Sequence, residues 1–346
     1  VLADVVQRPA FAAEELQRTR TRAINGQRVA MRQPGPLAAA VLDRVAYGDA
    51  AYGVPGDGTV ESLAGITREQ IVDYYRRFWR PDNAALIVTG AMTAEEGFAF
   101  AERALGDWTR PAGPVPVIAD RAGPVRPPRV VVVDMPGAGQ AAVTAAVRAP
   151  LRASDDWYPL SVANAVMGSG QSGYLFQEVR AKRGLSYGAY SSLGARVDGG
   201  LLTASTQTKN ESAAEVVDLV LAQMTRLSTE PVSDTAVTDR ETFIAGGRSR
   251  ALETTSGLGG VLAEAVQYGL PLSDIATYAE RIRATTPASL AAAAARVDPA
   301  QAYVVVVGDA AQFIEALRVA HPDLVVIPAA EVDLNSPHLG LSSPGA

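Results

Sequence analysis

The chain has 346 residues, 48% of them hydrophobic and 20% charged, which supplies material for about two domains of ~150 residues and leaves no compositional case for disorder. With 31 Lys plus Arg against 37 Asp plus Glu the formal charge is −6, which argues against a dedicated nucleic-acid binder. Cysteine is absent, excluding disulfides, thiolate catalysis and Cys-ligated zinc, and no apolar run approaches the ~18 residues of a membrane-spanning helix.

In chain order, residues 10–32 read as a helix, with Phe11, Leu16, Ala23 and Ile24 as an apolar stripe and Glu14 and Glu15 in the first turn. A second helix runs over 37–47 and ends at Gly48, followed by a Gly-, Asp- and Pro-rich loop over 49–58. Thr67 is placed to N-cap a helix through Trp79, and Pro81 closes it. Residues 84–88 read as a short apolar strand ending at Gly90, with another helix to about Leu105. Six prolines between Asp107 and Arg129 mark an extended spacer, so the expected organisation is a first repeat over 1–106 and a linker over 107–128. A second repeat over 129–330 and a tail over 331–346 complete it. In the second repeat, strands are expected at 130–133, 141–147, 201–209 and 303–307. Ser154 is expected to open a helix with Asp155 and Asp156 in its first turn. Asn210 is expected to cap a long amphipathic helix carrying Val216, Val217, Leu219, Val220 and Met224.

An internal repeat underlies that division. Pro9, Tyr47-Gly48, Thr67 and Pro81 recur as Pro231, Tyr268-Gly269, Thr286 and Pro299, at offsets of 222, 221, 219 and 218. The landmarks keep their order, which favours duplication over chance likeness of helix–strand units. The second copy begins about a hundred residues before its Pro231 landmark, so the first copy is expected to lack an equivalent N-terminal stretch.

Several motifs are weak on their own. Gly168-Ser169-Gly170-Gln171-Ser172-Gly173 fits G-x-G-x-x-G, but a helix-like segment precedes it where the dinucleotide fingerprint needs a strand, so it reads as a turn. His321 and His338, the only histidines, stand beside prolines near the C-terminus and make a poor triad base or zinc pair. Arg18, Arg20, Arg22, Arg28 and Arg32 share their helix with Glu14 and Glu15, and read as a solvated face or subunit contact.

The segment Leu175-Phe176-Gln177-Glu178-Val179-Arg180-Ala181-Lys182-Arg183-Gly184-Leu185-Ser186-Tyr187, following Met167-Gly168-Ser169-Gly170, resembles a signature of pitrilysin/insulinase-type zinc metallopeptidases. It matches their C-terminal domain: a Gly-rich turn, a helix ending L-F-x-E-x-R, then G-L-x-Y, with Arg180 and Tyr187 at the spacing of the family's Arg/Tyr pair. Tyr52-Gly53, Gly58-Thr59-Val60-Glu61-Ser62-Leu63 and Ile66-Thr67 extend the resemblance over essentially the whole chain.

The resemblance implies an α+β fold of two homologous domains, each a mainly antiparallel sheet with flanking helices, together forming half of a clam-shell chamber, the first N-terminally truncated. It implies zinc held by H-x-x-E-H plus a later Glu, yet no H-x-x-E-H occurs here and the matching ligand position holds Gly26. Neither Glu nor Asp occurs between Leu16 and Val41, so no metal site is expected on this chain. The implied role is that of the non-zinc subunit of a bacterial two-chain peptidase: zinc on an HxxEH-bearing partner, peptides as substrates, and a periplasmic location. Arg180 would donate to a substrate carbonyl and Tyr187 to the developing oxyanion, with Gly168, Gly170 and Gly173 shaping a substrate-binding loop. Three alternatives stay open: a fragment of a self-sufficient peptidase, a non-proteolytic scaffold like the core subunits of respiratory complexes, and an unrelated nucleotide-binding protein, which would require the Gly-rich turn to follow a strand.

Overall fold

The computed structural model describes residues 1–127 and 129–341; Pro128 of the expected linker and residues 342–346 of the expected tail lie outside the described residues. The helices are α1 Leu2–Gln7, α2 Ala13–Ala30, α3 Pro34–Tyr47, α4 Val60–Gly65, α5 Arg68–Phe78, α6 Ala94–Leu105 and α7 Trp157–Gly168. They continue with α8 Ala213–Thr229, α9 Asp234–Leu252, α10 Thr255–Tyr268, α11 Ser273–Arg283, α12 Pro287–Ala295 and α13 Ile314–Ala320. The strands are β1 Arg129–Asp134, β2 Ala141–Ala149, β3 Ser186–Gly194, β4 Gly200–Thr208, β5 Tyr303–Gly308 and β6 Val325–Pro328. Two compact units share these elements. One comprises Val1–Arg28, Asp57–Ala119 and Arg248–Ile275; the other comprises Val29–Gly56, Asp120–Gly247 and Ala276–Ala346.

The second unit is built on one six-stranded sheet in the order β3-β4-β2-β5-β1-β6. Its pairings β3–β4, β4–β2 and β2–β5 are antiparallel, while β5–β1 and β1–β6 are parallel. The run Tyr303-Val304-Val305-Val306-Val307 is apolar without alternation because both faces of β5 are covered. Val304 and Val306 face a core that includes Leu160 of α7, Val217 of α8 and Leu290 of α12. Tyr303, Val305 and Val307 face a second core with Leu37, Val41 and Val45 of α3. Gly48 takes φ 60° at the end of α3, the left-handed exit that a side chain disfavours.

The first unit is helical. Thr67 caps α5 through a reciprocal capping box with Gln70. In the second unit, Thr286 caps α12 in the same way with Ser289. Pro81–Asn83 and Pro299–Gln301 each form a three-residue 3-10 turn. Residues 84–88 depart from expectation. Ala84 is extended (φ −131°, ψ 149°), but these residues form no strand, whereas their counterpart is β5, paired on both sides. Apolar β-propensity makes a strand only where neighbouring strands accept its hydrogen bonds.

Two capping expectations are also corrected. Asp156, not Ser154, occupies the N-cap of α7, and Ser154 instead shapes the preceding turn by accepting from Trp157 N (3.1 Å). Asn210 does not cap α8. Its buried amide cross-links two loops, donating to Ala138 O (2.7 Å) and accepting from Asp309 N (3.0 Å).

Candidate functional site

The site grows out of the C-terminus of α7. Gly168 lies so close to β3 that an added Cβ would meet Ser191 N at 2.3 Å, and Gly170 adopts φ +72°. Both positions need glycine, for close helix–strand approach and for a left-handed turn. Gly173 packs back on Gly168, its would-be Cβ 3.0 Å from the Gly168 Cα. Arg240 of α9 clamps the turn, donating to Ser169 O (3.1 Å) and Ser172 Oγ (2.8 Å). The turn follows a helix rather than a strand, so it lacks the setting of a dinucleotide fingerprint.

The chain then enters a π-helical turn, Phe176–Ala181, in which Lys182 N donates five residues back to Gln177 O (3.0 Å). Gln177 Nε2 donates to Gln171 O (2.7 Å), tying this turn to the glycine loop. Gly184, at φ +64°, reverses the chain; its N–H donates to Arg180 O and that of Leu185 to Val179 O, both at 2.9 Å. Tyr187 follows at once on β3, the outermost strand of the sheet.

Strand β3 carries one extra residue there. Ser186 pairs with Thr208 and Ala189 with Thr206, so Tyr187 and Gly188 together oppose Gln207 in a β-bulge. The buried hydroxyls of Thr206 and Thr208 donate to Gly188 O (2.8 Å) and Leu185 O (2.6 Å), satisfying carbonyls that the irregular strand leaves over.

These two irregularities bring the predicted pair together. The Arg180 guanidinium carbon lies 4.5 Å from the Tyr187 ring centroid and 5.0 Å from that of Phe176. Tyr187 is 86% exposed. Among the described residues, neither the Arg180 guanidinium nor the Tyr187 hydroxyl has a hydrogen-bond or ion-pair partner; Tyr187 is exposed and Arg180 half-buried. On the α3 face of the sheet, exposed Tyr190 stands opposite exposed Ser205, with Gln207 further along β4.

Sequence reasoning missed the residue at the hub of this segment. Glu178, 13% exposed, accepts from Lys182 Nζ and from Arg183 Nη1 (2.7 Å), and Arg226 Nη1 of α8 lies 4.0 Å away. Hydrogen bonds from Lys182 and Arg183 hold its carboxyl below the usual range. The Glu178–Lys182 spacing of four was legible; the reach to Arg226 was not.

The described residues do not fit a zinc ion. No group of three or more His, Asp or Glu among them is arranged to hold a metal. Gly26 is exposed within α2, its would-be Cβ meeting nothing within 4 Å. His321 ends α13, and His338 sits in a turn.

The family model described as peptidase M16 inactive domain matches residues 65–239, just over half the chain and including the glycine turn, Arg180 and Tyr187. The chain belongs to this family. An uncharacterized zinc protease of Mycobacterium bovis is 30% identical over 256 residues, 72% of this chain and 56% of that protein. Bacillus subtilis YmxG, also called an uncharacterized zinc protease, is 22% identical over 74% of this chain and 61% of its own length. The chain thus spans little more than half the length of these relatives. Among solved structures, the peptidase M16 inactive domain from Pseudomonas fluorescens superposes with a TM-score of 0.82 at 24% identity, covering 88% of this chain and 73% of that one. A Helicobacter pylori protease gives 0.80 at 16% identity, covering 86% and 72%. These likenesses establish the M16 inactive-domain fold: mixed α+β, with a largely antiparallel sheet flanked by helices.

Proposed function

We propose that this M16 inactive domain is the non-zinc subunit of a heteromeric peptidase, acting with a partner that bears an HxxEH helix and carries the metal. Peptides are the substrates, and the periplasm is the site of action. The observation that carries this reading is the stacked Arg180–Tyr187 pair at the sheet edge, its tyrosine exposed.

The chemistry asked of this chain is binding and charge stabilisation. Arg180 presents fixed N–H donors to a substrate main-chain carbonyl. Tyr187 donates its hydroxyl proton in a hydrogen bond to the oxygen that becomes negative as the peptide carbonyl turns tetrahedral, an interaction stronger in the transition state than in the ground state. Gly168, Gly170 and Gly173 form a turn that lies against the substrate, and β3 offers a free edge to which an extended peptide adds as a strand. The proposal includes the two-repeat organisation, with residues 1–106 as part of the first repeat and 129–330 as the second.

Reconstitution with an HxxEH-bearing subunit from the same organism, read by peptide hydrolysis, tests this reading. Hydrolysis that requires both chains supports it; full activity of either chain alone removes it.

A further inference from the structure

The wide helical turn before Arg180 has an electrostatic lock. In an α-helix, residues four apart share a face and residues five apart do not. Glu178 nevertheless bonds both Lys182, four residues on, and Arg183, five residues on. Arg183 Nη1 also donates to the Glu178 backbone oxygen (3.0 Å), a carbonyl at the end of the turn where helical partners run out. From α8, Arg226 stacks 4.1 Å over the Tyr174 ring and reaches toward the same carboxylate. The remaining charged groups facing this cluster are Glu215, 3.8 Å from Arg183 Nε, and Glu230, 2.7 Å from Arg226 Nε.

One extra residue in a helical turn rotates everything beyond it by about 100°, the angular step of an α-helix. Arg180 lies inside the wide turn, next to its last residue, so the direction of its side chain depends on the turn keeping that form. We infer that Glu178 is the positioning residue of the Arg180–Tyr187 pair: by binding Lys182 and Arg183 together it holds the turn in its π form, and that form lays Arg180 over Tyr187. The inference rests on the functional reading above for its importance, but its geometry is testable without any peptidase partner. Glu178 touches no substrate in this account.

The test is NMR of the arginine side chains in the full chain. Stacked on a tyrosine face, the Arg180 guanidinium protons are shifted upfield by the ring current, and Tyr187→Leu supplies their position without the tyrosine, the Phe176 ring remaining. Glu178→Gln keeps the shape and removes the charge; it is expected to move the Arg180 signal most of the way to that position, with far-UV circular dichroism and cooperative melting retained. Arg183→Ala, which removes the contacts to Glu178 and the pairing with Glu215 but leaves Lys182 on Glu178, is expected to move it in the same direction, and Arg183→Lys to restore part of the shift. Should Glu178→Gln fail to fold, the half-exposed Arg183 variants carry the comparison. An Arg180 signal that stays stacked in the folded Glu178 and Arg183 variants overturns the inference. If the signal moves but the reconstituted peptidase keeps its rate, the positioning role stands and the catalytic reading of Arg180 fails.

Discussion

Arg180 and Tyr187 are seven residues apart, yet the guanidinium carbon of the first rests 4.5 Å from the ring centroid of the second. Each arrives through an extra residue: a π turn in the helix and a bulge in the edge strand. Irregularities of both kinds concentrate at functional sites, where they re-aim side chains that regular elements would direct elsewhere. An exposed cation–π contact of this sort contributes only ~0.5–1 kcal/mol. The pair can therefore separate at little energetic cost.

The chain alone is expected to bind no zinc stoichiometrically. Its only two histidines, His321 and His338, are seventeen residues apart, and no group of three acidic or histidine ligands exists among the described residues. Metal analysis after dialysis against zinc-free buffer checks this, and one tightly held zinc per chain would contradict it.

Gly168→Ala is expected to destabilise by ~1–3 kcal/mol, because its Cβ would press on the Ser191 backbone nitrogen, which cannot move without shifting β3. Gly170→Ala meets open space, and its expected loss of about 1–2 kcal/mol comes from the left-handed backbone alone. Thermal denaturation of both variants separates the two causes. A Gly168 variant that melts with the parent would show that the helix–strand approach is looser than described.

Glu241 of α9 is buried, and its Oε1 has no hydrogen-bond partner. Burial pushes its carboxyl up, countered in part by Arg283. A folded-state value above the unfolded one means that ionisation costs stability: the deficit is absent below the unfolded value, grows as pH rises from about 4.3, and is complete above the folded value. Glu241→Gln removes the charge. Its melting temperature is expected to gain on the parent's as pH rises above the ordinary carboxylate value of about 4.3. Parallel melting profiles above that value would refute the assignment.

How much the sequence reveals depends on how local the signal is. Thr67 and Thr286 are legible as caps because the capping box closes within four residues. The valine run of β5 is legible because both faces are buried. Residues 84–88 carry nearly the same signal and form no strand, since pairing depends on neighbours rather than on the residues themselves. Asn210 has cap chemistry but bonds Ala138 and Asp309, both remote in sequence. The Arg180 and Tyr187 positions were legible through a motif. Their meeting was not, because a π turn and a bulge show only as a register against a partner.

The most direct measurement is Tyr187→Phe in the complex reconstituted with an HxxEH-bearing subunit. The substitution keeps the ring under Arg180 and removes one hydroxyl that has no partner among the described residues, so melting temperature and complex formation should be unchanged. Peptide hydrolysis should fall by roughly 10²–10³, the usual loss when an oxyanion donor is removed. Hydrolysis at the parental rate would contradict the account, leaving Tyr187 as a ring on which an arginine rests.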